Sequence, residues 1–126
     1  MKARTFSVKI DNYTSHLINQ IKEYKGGRRA DCVYDALETY EEYMAHDISE
    51  EQFAKIHEFR IKEDWKPSKI RFSKNTNKIG LVLPIEMLKQ IEIIQMLYEF
   101  IGGFKSVHDI IIDAIHRYKM LIPNQY

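Results

Sequence analysis

Apolar and polar positions along this chain alternate in short runs and fall at helical spacing in five longer ones. In residues 5–10, Phe6, Val8 and Ile10 share one face and Thr5, Ser7 and Lys9 the other, the period of a half-buried strand. Asp11 or Asn12 then caps a helix, with Leu17, Ile18, Ile21 and Tyr24 at helical spacing and Gly26-Gly27 as its stop. A second helix begins near Arg28 or Arg29 and runs to about Ala45, turning Val33, Ala36, Leu37, Tyr40 and Met44 inward. Ser49 with Gln52 makes a capping-box pattern, and Ile48 with Phe53 sits at staple spacing. A third helix through Ile56 and Phe59 to about Glu63 follows. Beyond Pro67, Lys69–Ser73 alternates again and Asn75-Thr76-Asn77 signals a turn, which suggests an extra hairpin arm leading into the next strand. In that strand Ile79, Leu81 and Leu83 point one way and Lys78, Gly80 and Val82 the other. Pro84 suits a helix start. The helix Ile85–Ile101 has Met87, Leu88, Ile91, Ile94, Leu97 and Tyr98 as its core face, while Ile93, Met96, Phe100 and Ile101 lie off that stripe. A helix apolar on two sides is buried on two sides, so the linker helix or another molecule should cover it. Ser106 caps a last helix that stops before Pro123.

This order is a duplication. Asp31–Tyr40 reads DCVYDALETY and Asp109–Tyr118 reads DIIIDAIHRY, 78 residues later, with Asp31/Asp109, Asp35/Asp113, Ala36/Ala114 and Tyr40/Tyr118 identical. One strand followed by two helices has two open edges, and a unit of about 45 residues buries too little surface to fold alone. Two copies remove both problems if the strands pair and the helices close over one face. The expected fold is therefore mainly α with a short antiparallel two-stranded ribbon, two tandem units forming a pseudo-dimer. The units span residues 1–46 and 69–126, joined by a helix-containing linker, 47–68. Pairing within one chain is favoured over a swap between chains because it avoids association entropy.

Charge sharpens the picture. Residues 1–30 carry seven basic and two acidic side chains, 31–64 three basic and eleven acidic, and 65–126 nine basic and five acidic. Both strands and their lead-ins are thus basic and the middle is acidic. Clustering of cations on the same element of both copies points to a polyanion-binding face. The lone cysteine, Cys32, has Ile110 in its slot of the second copy. It reads as a small core residue in a reducing compartment. The N-terminus lacks the apolar core of a signal peptide, and the longest apolar stretch is interrupted by Glu86, Lys89, Gln90, Glu92, Gln95 and Glu99. No membrane partner and a cytoplasmic location are expected.

Candidate chemistry is sparse. The histidines, His16, His46, His57, His108 and His116, form no metal-ligand spacing. His108 beside Asp109 is the nearest approach to a catalytic couple, but it falls where a helix cap suffices and lacks a third group. No phosphate-binding loop or nucleophile signature is present. Neither an enzyme nor a cofactor is expected.

The second copy, with its strand ending in Pro84, a helix, the turn Gly103-Phe104-Lys105-Ser106 and the helix Asp109-Ile-Ile-Ile-Asp-Ala-Ile, resembles the ribbon-helix-helix family of DNA-binding regulators. The first copy keeps Asp31, Val33, Ala36, Leu37 and Tyr40 but has Gly26-Gly27-Arg28-Arg29 at the turn. The two-in-one layout is similar to tandem regulators of filamentous viruses of archaea, for which the compartment is the host cytoplasm. The resemblance implies a sequence-specific transcription regulator of double-stranded DNA, such as a repressor, with its ribbon in the major groove. The base-contacting set would be Thr5, Ser7, Lys9, Lys78, Gly80 and Val82. Gly80 and Val82 depart from the usual polar set, so one half-site should be read well and the other loosely. Phosphate contacts would come from the start of each second helix, at Arg28 and Arg29 and at Ser106 and Val107, with Lys105 and Arg71 beside them. Self-association, as a homodimer or side by side on DNA, is suggested by Ile93, Met96, Phe100 and Ile101. The rival reading is an antitoxin-type interaction module that wraps a protein partner with the acidic linker Asp47–Asp64 and its Phe53, Ile56, Phe59, Ile61 and the adjoining Trp65.

Overall fold

The computed structural model describes residues 5–65 and 79–122. Two strands and five helices follow one another as β1 (Thr5–Ile10), α1 (Asn12–Lys25), α2 (Arg29–Met44), α3 (Glu50–Arg60), β2 (Ile79–Pro84), α4 (Glu86–Phe100) and α5 (Val107–Leu121). The fold is mainly helical with a two-stranded antiparallel sheet. The hairpin arm expected over Lys69–Ser73, together with Arg71 and Lys78, lies outside the described residues.

β1 and β2 pair within the one chain, with Phe6 opposite Leu83, Val8 opposite Leu81 and Ile10 opposite Ile79. Alternation sends these side chains to one face. Phe6, Val8, Ile10, Leu81 and Leu83 are all buried there, Ile79 partly. They join residues of α1, α2, α4 and α5 in one apolar cluster that includes Ile18, Ile21, Val33, Leu37, Ile91, Ile94, Ile110, Ile111 and Ile115. α2 packs on α5, and each also packs on both α1 and α4. The core therefore draws on both sequence copies at once.

Local chemistry sets the helix ends. The Asp11 carboxylate accepts from the Thr14 N–H at 2.6 Å, and Ser49 and Gln52 cap each other's backbone N–H at 3.1 and 3.0 Å. Gly26 and Gly102 close α1 and α4 with φ of 80° and 83°, a region that L side chains enter only at a cost. Pro84 closes β2 instead of opening α4. Ile85 already has helical angles, and α4 proper begins at Glu86.

The second apolar side of α4 is covered from within. Ile56 of α3 packs on Ile93 and Leu97, with Met44, Ala45, Ile48, Phe59, Met96 and Phe100 around them. Of the off-stripe residues only Ile101 is well exposed, at 73%. Three expectations shift. α3 stops at Arg60, because the Lys89 ammonium donates to the Arg60 and Lys62 carbonyls at 2.7 and 2.9 Å and closes its C-terminal end. Phe53 is exposed, so the staple with Ile48 is not closed. Tyr24 is exposed too: residues one apart on a helix point about 100° apart, and it is the neighbouring Lys25 that reaches across the surface to α2 and α5.

Because the ribbon's inner face belongs to the helical core, truncating it should destabilise everything together. Leu83→Ala is expected to cost about 2–5 kcal/mol. Urea unfolding followed by circular dichroism and by tyrosine fluorescence should stay a single coincident transition at a lower midpoint.

Candidate nucleic-acid interface

The outward face of the ribbon carries Thr5, Ser7 and Lys9 from β1 and Gly80 and Val82 from β2, all exposed. Across the strands Ser7 faces Val82 and Lys9 faces Gly80, while Thr5 faces Pro84. The Lys9 ammonium reaches over Gly80, where an added Cβ would lie 3.6 Å from Nζ. Five of the six base-contacting candidates thus share one surface, and the sixth, Lys78, lies outside the described residues.

The two helix starts expected to contact phosphate differ. At the start of α2, Arg28 is exposed; its N–H donates to the Asp31 carboxylate at 3.0 Å, and its guanidinium lies 3.7 Å from the same group. Arg29 reaches back to the Ser15 hydroxyl at 2.7 Å, tying α2 to α1. Arg28, Ala30 and Asp31 share a cavity of about 410 Å³ with Pro84 and Glu86, so this helix start adjoins the end of β2. The start of α5 is closed instead. Ser106 caps it through the Asp109 N–H, and Ser106 and Val107 are 6% and 0% exposed. The half-exposed cation there is Lys105, ion-paired with Asp113.

That pair has a counterpart. Lys25 is bonded to Asp35, the residue equivalent to Asp113 in the other copy. Lys25 also donates to the Tyr118 hydroxyl at 2.8 Å. Lys105 lies over the Tyr98 ring, whose hydroxyl is bonded to that of Tyr40, the equivalent of Tyr118. Tyr118 thus meets the first copy's lysine–aspartate pair directly, while Tyr40 reaches Tyr98, whose ring lies beneath Lys105 of the second. The hydrogen bonds to Asp35 and Tyr118 raise the Lys25 pKa. Burial first, and the Tyr98 hydroxyl next, raise that of Tyr40.

Beside the ribbon, Thr14 is fully buried and its hydroxyl lies 3.1 Å from His116 Nε2. The Tyr13 ring meets the same imidazole edge-on. Apolar periodicity missed Thr14 because it is polar, yet it occupies the helical position one turn before Leu17 and Ile18. Cys32 is buried, and desolvation raises its thiol pKa, as suits a packing role. His108 lies 3.3 Å from Asp109. Among the described residues no group of three His, Cys, Asp or Glu could hold a metal ion. No helix among them is long and apolar enough to cross a membrane. Comparison with family models, curated proteins and solved structures found no match.

Asp11, next to the ribbon, titrates in a readable way. Burial pushes its carboxyl up, but hydrogen bonds from Thr14 and the nearby His116 outweigh this and hold the pKa below its ordinary 3.8. Its contribution to stability is therefore present above that value and lost as the pH falls through the lowered one. At neutral pH Asp11→Ala should cost about 1 kcal/mol. Asp11→Asn should keep most of the cap while flattening the loss of stability below about pH 4, measured by urea titration at several pH values.

Proposed function

We propose that this chain binds double-stranded DNA in a sequence-specific way, inserting the β1–β2 ribbon into the major groove, and acts as a transcription regulator. The observation that carries the reading is the two-faced ribbon: one face sealed against the core, the other open and bearing Thr5, Ser7, Lys9, Gly80 and Val82. Two strands lie about 4.8 Å apart, and a groove about 12 Å wide admits such a pair. Lysine and hydroxyl side chains are suited to base edges there. The reciprocal lysine–aspartate–tyrosine contacts support a pseudo-two-fold arrangement of two tandem ribbon-helix-helix units.

Phosphate anchoring falls mainly to the open start of α2. Its backbone N–H groups and dipole favour an anion, and Arg28 supplies a cation on the same side. On α5 the corresponding contact belongs to Lys105, because Ser106 and Val107 are enclosed. The partner-wrapping alternative has less to draw on. Ile56 is buried on α4, Lys89 lies over the Phe59 ring, and the Trp65 indole N–H donates to Glu92. Phe53 and Ile61 remain as its exposed apolar residues.

Titrating variants against a selected site and against random duplex tests the proposal. Lys9→Ala should weaken the selected site by about 1–3 kcal/mol and random duplex much less. Arg28→Ala should weaken both alike and reduce the slope of log K against log salt by about 1. Equal losses on both duplexes for Lys9→Ala would remove it from the reading set.

A further inference from the structure

Within the DNA-binding reading just proposed, on which this step rests, the register of the ribbon constrains the shape of the target. Three inward pairs hold the strands to the core, and the middle one is Val8–Leu81. A two-fold rotation through that pair exchanges Ser7 with Gly80 and Lys9 with Val82. A ribbon of two identical strands would present the same side chain at each exchanged position and would suit a palindrome. Here the exchanged positions are chemically opposite. β1 offers a hydroxyl and an ammonium; β2 offers no side chain at all and an isopropyl group that is 59% exposed.

From this mismatch we infer that the ribbon reads a non-palindromic duplex in a single orientation, Lys9 hydrogen-bonding guanine in the half under Lys9 and Gly80, and Val82 packing on thymine methyls in the half under Ser7 and Val82. The chemistry of the base edges supports the division. Guanine presents two acceptors, O6 and N7, to a lysine, whereas the C5-methyl of thymine is the apolar feature of the major groove. Gly80 lies opposite Lys9, in the lysine half. Its missing side chain leaves room for the Lys9 ammonium above it and lets the backbone of β2 approach the bases. The asymmetry is thereby built into one polypeptide, which a homodimer of identical strands cannot do.

The experiment is selection of bound sequences from a random duplex pool with the full chain, followed by base-analogue substitution. The expected consensus lacks two-fold symmetry. Replacing guanine by 7-deazaguanine in one half should weaken binding by about fivefold or more, with little further loss in Lys9→Ala. Replacing thymine by uracil in the other half should weaken binding a few-fold, and Val82→Ala should abolish that sensitivity. The double variant Gly80→Ser/Val82→Lys makes the exchanged positions alike and should convert the consensus to a palindrome, each half then read by one position from each strand. Both changes lie on the exposed face, and the Cβ at Gly80 meets only the end of a flexible lysine, so the variant should unfold at a similar urea concentration. A palindromic consensus for the unaltered chain, or uracil sensitivity indifferent to Val82, overturns the inference while leaving DNA binding intact. Failure to enrich any duplex overturns the DNA-binding reading itself.

Discussion

The antiparallel ladder between β1 and β2 is the constraint on which the other elements depend. Each strand alone would leave a row of unpaired backbone groups and an apolar face in water. Two strands together are still marginal until helices cover one side. Here five inward residues of the ladder are buried among α1, α2, α4 and α5. Burying an aliphatic or aromatic side chain is worth about 1.5–3 kcal/mol. The ribbon holds because the helices sit on it, and the helices share a common floor because the ribbon is there. The same pairing turns every second side chain outward and creates a surface free of core duties.

Above that floor, polar contacts link the two copies reciprocally. Lys25, Asp35 and Tyr118 meet at one place, and Lys105, Asp113, Tyr98 and Tyr40 at another. These partly exposed ion pairs add little stability individually. The tyrosine contacts tie Tyr118 of α5 to Lys25 at the end of α1, and Tyr40 of α2 to Tyr98 of α4. α3 plays a separate part. It shields the second apolar side of α4 and is held there by Ile56 and by the Lys89 ammonium at its C-terminal end.

Much of this was legible in the residue pattern, because the determinants are local. Strict alternation marked residues 5–10 and 79–83, and the capping groups Asp11, Ser49 and Ser106 marked three helix starts. The repeat of Asp31–Tyr40 at Asp109–Tyr118 marked α2 and α5, which pack on each other in the core. What the pattern could not carry depends on three-dimensional position. Thr14 is polar and so was invisible to a search for apolar spacing. Tyr24 matched the spacing but sits exposed in the last turn of α1, where the neighbouring Lys25 makes the contacts to α2 and α5. The closing of the α5 start around Ser106 and Val107 comes from packing, while the sequence shows only a good cap. The choice between α3 and another molecule as the cover for Ile93 and Met96 likewise needed the path of the linker.

The partners in the ribbon lie far apart along the polypeptide: Thr5 is matched to Pro84 and Ile10 to Ile79. Closing so long a loop is slow relative to forming helices from neighbouring residues. During synthesis, α1, α2 and α3 have all emerged before β2 exists. Until then β1 is a bare edge, able to join a matching strand from another nascent copy. The sheet can therefore close only after those three helices, and every inward residue of β1 waits for β2 before it is covered.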